Sequence, residues 1–125
     1  MDRSKVEFEY IFKASPAIVY QFLTEPNCLI RWFCDEVDIT DEHYSFFWEG
    51  AAEEAELVDD IQHERVRFEF EDYEDDEYLE FRLSKSPVTN ETIVEITDYC
   101  DSDEVDEHQT LWNSQMDRLR AVTGG

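Results

Sequence analysis

Three histidines, three cysteines and 33 Asp and Glu side chains are the groups in this 125-residue chain with the capacity for acid–base, nucleophilic or metal chemistry. Catalysis by any of them needs a base or nucleophile held beside an orienting partner in a dry pocket, and no such constellation is legible along the chain. His43 falls in the expected turn Asp41-Glu42-His43, His63 lies between strand-like segments, and His108 sits in the first turns of a helical stretch, near its apolar stripe and among carboxylates. His108 is the best placed of the three to look inward, although a surface or half-buried histidine with acidic neighbours is the commoner case. His108, Tyr10 or Tyr99 meeting in an open cavity would be the arrangement that points to acid–base work. Carboxylates are so frequent here that no single pair of them is informative. Cys34, His43 and His63 match no zinc spacing, and the acidic run Glu71–Glu77 lacks the glycine and alternating ligands of a calcium loop. No metal or cofactor is therefore expected, beyond weak and nonspecific divalent-ion binding at that run. Cys28, Cys34 and Cys100 are odd in number and form no C-x-x-C pair, so they read as small buried hydrophobes.

The elements that must position any site follow from apolar spacing. Val6, Phe8, Tyr10 and Phe12 alternate with Lys5, Glu7 and Glu9, which predicts a strand with one apolar face. Ser15-Pro16 supplies a helix cap and a proline at the first helical position, and Ile18, Val19, Phe22 and Leu23 follow at helical spacing. Glu25-Pro26 stops that helix and opens a second, whose buried side would carry Leu29, Trp32 and Phe33. Strand-like segments then run Val37–Thr40, Tyr44–Glu49, Glu54–Asp59, Arg65–Phe70, Tyr78–Leu83 and Glu91–Tyr99. The run Glu71–Glu77 is too charged for a core strand and reads as a solvated hairpin loop, and Ser86-Pro87 with Asn90 supplies turn chemistry. Arg31, Arg65, Arg67 and Arg82 are few among so many acids; those on strands are expected to pair across the sheet with residues such as Glu69 and Glu80, the alternative being that they meet an anionic ligand head.

From Asp103 to Val122 the residues Val105, Leu111, Trp112, Met116, Leu119 and Val122 paint one stripe on a helix, which spans roughly 30 Å and ends at Gly124-Gly125. Its acidic start and the basic Arg118 and Arg120 near its end complement the helix dipole. Such a stripe must be buried, and the inner face of the preceding strands is the only large apolar surface available. The predicted class is α+β, a single domain over residues 1–125 with a long helix laid across a sheet.

Composition limits the partners. Ten Lys and Arg against 33 Asp and Glu give a formal net charge of −23, which repels phosphate backbones and anionic lipid alike. Nucleic-acid and membrane binding are disfavoured, and mimicry of DNA by an acidic face remains a minor alternative. No apolar run approaches the roughly 20 residues that span a bilayer, and the start from Met1 to Glu7 lacks the apolar stretch of a secretory signal, so a cytoplasmic location is expected.

The segment Ala14-Ser15-Pro16-Ala17-Ile18-Val19-Tyr20-Gln21-Phe22-Leu23, followed by Leu29-Ile30-Arg31-Trp32-Phe33, resembles the opening signature of the START-like and Bet v 1-like superfamily. It is especially similar to the branch related to the activator of Hsp90 ATPase, and to small stand-alone START-like proteins of Bacteroidetes. Phe46–Gly50 and Leu111–Leu119 look like matching landmarks. The resemblance implies a helix-grip fold, in which a curved antiparallel sheet of six to seven strands wraps around the terminal helix, with two short helices after the first strand. Members of this superfamily bind sterols, lipids, polyketides and hormones, some are cyclases, and others only contact protein partners; fold alone does not choose among these.

If the sheet curls around the helix, Trp32, Phe46, Trp48, Phe68, Phe70, Phe81, His108, Trp112 and Met116 are the candidates to line the space between them. Those rings either line a ligand cavity or interdigitate into a filled core, and both outcomes are open. The leading expectation is noncatalytic binding of a small apolar or amphipathic, lipid-like ligand. An acidic module that docks a basic protein partner comes second, and a cyclase-like enzyme last. Oligomeric state is not indicated.

Overall fold

The alternation of Val6, Phe8, Tyr10 and Phe12 becomes strand β1 (Arg3–Phe12), which pairs antiparallel along the whole of the last strand, β7 (Thr92–Asp101). Between them lie β2 (Glu36–Thr40), β3 (His43–Trp48), β4 (Ala51–Ile61), β5 (Arg65–Phe70) and β6 (Leu79–Lys85). The computed structural model describes residues 2–124, so Gly125, expected to share in the helix stop, lies outside the described residues. All seven strands form one antiparallel sheet in the order β1-β7-β6-β5-β4-β3-β2. Each hairpin joins neighbours, and the first strand closes onto the last.

Most strand limits lie within two residues of expectation, and the differences in β3 and β4 have a local cause. His43 begins β3 instead of completing a turn, because Asp41 alone takes the left-handed conformation (φ 55°) that reverses the chain. β4 runs eleven residues rather than six. Its weak pattern has a cause: a bulge between Leu57 and Asp59 leaves Val58 unpaired and shifts the alternation by one. Leu57 opposite Phe68 and Asp60 opposite Val66 therefore lie on the same face, and the Tyr20 hydroxyl donates to Asp60 Oδ1 at 2.6 Å.

Helix α1 (Pro16–Thr24) starts as expected, with Ser15 Oγ accepting the Ile18 N–H at 3.3 Å, and ends at the extended Glu25 that precedes proline. Val19, Phe22 and Leu23 are buried, whereas Ile18 faces outward. Helix α2 (Pro26–Leu29) is a single turn, and Trp32 and Phe33 are buried just beyond it; Trp32 Nε1 donates to the Phe22 carbonyl at 2.8 Å, which ties the two segments together. A short 3₁₀ turn, Ser102–Glu104, leads into α3 (Val105–Thr123), which is capped by left-handed Gly124 donating to the Arg120 carbonyl. Trp112, Met116 and Leu119 are buried against the sheet, and Val122 packs at the margin. Leu111, placed by its spacing in the same stripe, is 47% exposed.

On the outer face, Glu80 is buried beneath Arg67 and Arg82, both of which donate to its carboxylate. Arg65 pairs across the sheet with Asp59 of β4 at 2.8 Å, as expected in kind, and Glu69 takes no part in these pairs. The run Glu71–Glu77 is a hairpin loop between β5 and β6 but not a purely solvated one. Glu77 is 3% exposed and accepts two bonds from Arg3, at 2.7 and 2.9 Å, which fastens the loop to β1. Tyr73 of the same loop packs onto the core.

These ion pairs set an acid limit on stability. Hydrogen bonds from Arg3 hold the Glu77 carboxyl below its ordinary value of 4.5. Burial pushes Glu80 up, yet the bonds from Arg67 and Arg82 outweigh it and its carboxyl also sits below 4.5. A depressed folded-state value contributes stability that is complete above the unfolded value and is lost as pH falls through the folded one. Urea midpoints measured from pH 7 down to pH 3 are expected to fall below about pH 4.5, and Glu80→Gln is expected to lower the midpoint at pH 7 and to flatten its acid dependence.

A candidate ligand cavity between sheet and terminal helix

The middle of the inner face is filled. Phe46 is fully buried within rings from Phe33, Tyr44, Trp48, Phe68 and Phe70, all with centroids 5.1 to 5.8 Å away. Phe81 meets Trp32 on one side and Trp112 on the other, edge to face. The gap bounded by Leu23, Leu29, Trp32, Phe33, Phe68 and Phe81 has no room for a water molecule. Beside the helix a cavity of about 370 Å³ remains open to solvent. Its apolar wall is Phe33, Trp48, Phe70, Leu79, Leu111 and Trp112; its polar groups are Glu53, Tyr73, Asp98, His108, Gln115 and Arg118.

Both outcomes anticipated for the aromatic face are thus present, in different places. Of the expected cavity residues, Trp48, Phe70, His108 and Trp112 line the opening. Phe46, Phe68, Phe81 and Met116 are buried in the core, and Trp32 packs between Phe33 and Phe81 and borders a smaller hollow beside the cavity. The division has a simple cause: side chains at the centre of the face are covered by neighbours on every side. Only those beside the rim of the helix retain an unoccupied flank.

The helix wall explains Leu111. His108, Leu111, Gln115 and Arg118 recur at spacings of three and four, which makes a second stripe beside the buried Trp112, Met116 and Leu119. Leu111 is exposed because it faces the cavity, not the core. Ten residues at about 1.5 Å each put His108 and Arg118 roughly 15 Å apart, at opposite ends of this wall.

One end is built around Asp98, which is 2% exposed on β7. Its Oδ1 accepts the Tyr73 hydroxyl, and its Oδ2 accepts Trp112 Nε1 at 3.1 Å and His108 Nε2 at 2.6 Å. A buried carboxylate is tolerated only when its lone pairs are engaged, and three donors from two segments, the loop after β5 and α3, do so here. Burial first, and the adjacent Asp98 charge second, push the Tyr73 phenol far above its ordinary value, so it remains a donor. The arrangement holds the His108 imidazole at a fixed angle in the cavity wall, where a ring nitrogen can exchange hydrogen bonds with a bound molecule. Glu53, across the opening, has its carboxyl raised by burial and by the nearby Asp72.

The constellation was not anticipated, since Tyr73 and Asp98 are 25 positions apart. One signal was available: Asp98 keeps the inward parity of Val94, Ile96 and Cys100, a charge in phase with buried positions. The alternative set of His108, Tyr10 and Tyr99 does not assemble. The Tyr10 hydroxyl donates to Asn113 Oδ1 at 2.7 Å, and the Tyr99 ring meets Tyr78. Nor do Cys34, His43 and His63 converge. His43 is held by Glu54 and Glu56 at 2.6 and 2.5 Å, the Cys34 thiol faces the Leu29 carbonyl with its pKa pushed up to about 12 by burial, and His63 packs on Tyr20.

A seven-stranded antiparallel sheet gripping a long C-terminal helix, with two short helices after the first strand, is the helix-grip architecture. The chain belongs to the START-like superfamily: the model of the START-like superfamily domain matches residues 1–125. Members of this superfamily commonly bind hydrophobic ligands. The protein BfR322 of Bacteroides fragilis is similar at 31% identity, over 98% of this chain and 92% of that one, with a TM-score of 0.70. The Aha1 dimer of Colwellia psychrerythraea shares the fold at a TM-score of 0.81 and 19% identity, over 96% of each chain. CalU16 of Micromonospora echinospora does so at 0.70 and 20%, over 92% of this chain and 71% of that one. No curated protein sequence matches the chain.

Removing the Asp98 carboxylate strands three donors. Asp98→Ala is expected to lower the unfolding free energy by about 3 kcal/mol, whereas His108→Ala, at a half-buried position, is expected to cost about 1 kcal/mol. Urea denaturation followed by tryptophan fluorescence measures both.

Proposed function

We propose that this domain, residues 1–125, binds a small apolar or amphipathic molecule without transforming it, in the cavity between the sheet and α3. The observation that carries this reading is the cavity itself. About 370 Å³ falls in the range that small-molecule sites occupy, and an apolar wall with a few oriented polar groups is the usual composition of such sites. The exposed Leu111 supports it, because an apolar side chain turned toward an opening is covered when a ligand enters. The Asp98-anchored His108 then offers the ligand one oriented hydrogen-bonding group in an otherwise largely apolar wall. A cytoplasmic setting accompanies the reading, supported by three buried free thiols and by an acidic composition. No helix among the described residues is long and apolar enough to cross a membrane.

A second reading rests on the net charge of −23 together with the backbone likeness to Aha1. An acidic exterior speeds encounter with a basic protein partner and makes the association salt-dependent. Partners captured at low salt and released at elevated salt support it.

The ligand reading is tested with Nile red, a neutral dye that fluoresces in apolar surroundings. Native protein is expected to take it up saturably, and Leu111→Arg, a change at an exposed position that places a charge in the opening, is expected to weaken uptake at least about fivefold without loss of far-UV dichroism. No uptake by native protein, with no co-purifying small molecule in native mass spectrometry, refutes the reading.

A further inference from the structure

Arginine pairing in this chain is unusually revealing because acids outnumber bases by 33 to 10. Arg3, Arg65, Arg67, Arg82 and Arg120 each hold a carboxylate within 3.0 Å. The two remaining arginines, Arg31 and Arg118, form no ion pair among the described residues, and both line one small hollow of about 140 Å³. That hollow adjoins the main cavity: Phe33, Trp48 and Arg118 border both. Arg31, whose guanidinium lies over the Phe22 ring, and Arg118 are thus without a carboxylate partner among the described residues on the lining of one hollow, in a chain where acids are plentiful. Asp35 also borders the hollow, but its Oδ2 already accepts the Glu49 N–H at 2.8 Å.

Accepting the ligand-binding reading above, we infer that the ligand is an anionic amphiphile, a carboxylic acid whose apolar body fills the main cavity and whose carboxylate lies between Arg31 and Arg118. The planar guanidinium fork matches a carboxylate with two parallel hydrogen bonds, and two such groups brought from separate segments, the loop after α2 and the C-terminal half of α3, fix the head group from both sides. The polar hollow and the apolar cavity are adjacent, so one molecule with a polar end and a greasy end satisfies both. The overall field of the protein works against this choice. Its charge of −23 attracts cations, although screening over about 8 Å at physiological salt confines the effect. A measured preference for an acid can therefore come only from local groups, which makes the test severe.

Protein loaded with Nile red is titrated with dodecanoate, 1-dodecanol and dodecylamine, each below its aggregation concentration, at physiological salt. Dodecanoate is expected to displace the dye at a concentration about tenfold lower than dodecanol. In the double variant Arg31→Gln/Arg118→Gln the two are expected to become equal, with dodecanol unchanged. Equal potency of acid and alcohol on native protein, or the amine acting most strongly, overturns the inference and leaves the ligand-binding reading standing. Failure of the native protein to take up the dye, with no co-purifying small molecule in native mass spectrometry, overturns both. Because the comparison of acid, alcohol and amine is made on native protein, it decides the matter even if the double variant fails to fold.

Discussion

The contact between the stripe Trp112, Met116 and Leu119 of α3 and the concave face of the sheet is the constraint on which the rest depends. An isolated helix of this length is marginal in water, and a single sheet with one apolar face exposed is no better. Each large side chain taken out of water contributes on the order of 1.5 to 3 kcal/mol, so helix and sheet stabilise one another through the same surface. Close contact along that line also determines where space is left. Rings in the middle of the face are driven into mutual contact, and the residue of unfilled volume is displaced to the flank, where the second helical stripe of His108, Leu111, Gln115 and Arg118 overlooks the opening.

Asp98 introduces a charge at one end of this apolar grip. Its three donors come from the loop after β5 and from two positions one turn apart on α3, so the carboxylate clasps loop, last strand and helix at a single point. Apolar packing permits a helix to slide or rotate with modest loss, whereas a buried carboxylate with directional bonds does not. The same groups that define the helix's register form one polar end of the cavity, and its other end is bordered by Arg118, which has no ion-pair partner among the described residues. Stability and recognition are in this way assigned to neighbouring faces of one helix.

Much of the architecture was legible in the residues. The alternation of β1, the Ser15-Pro16 cap and the Glu25-Pro26 stop act within a few positions, and each appears where expected. β4 was only half visible because a bulge breaks its period at Val58, and Leu111 was misassigned because a stripe wide enough to be buried and one flanking a cavity have the same spacing. The site was less legible. Trp48, Phe70, His108 and Trp112 were anticipated at the cavity, but Tyr73 was hidden in a loop dominated by carboxylates, and Gln115 and Arg118 looked like ordinary members of a solvated helix face.

The sequence by itself determined the element order, the burial of one helical stripe and the strongly acidic exterior, because these follow from side-chain period and charge, which are local properties of the chain. Tertiary structure alone decided which rings fill the core and which border open space, that Asp98 gathers Tyr73, His108 and Trp112, and that Arg31 and Arg118 share a hollow. Those outcomes depend on the curvature of the sheet and on the angle at which the helix crosses it. Both are settled by packing among residues many positions apart, a quantity that no local pattern contains.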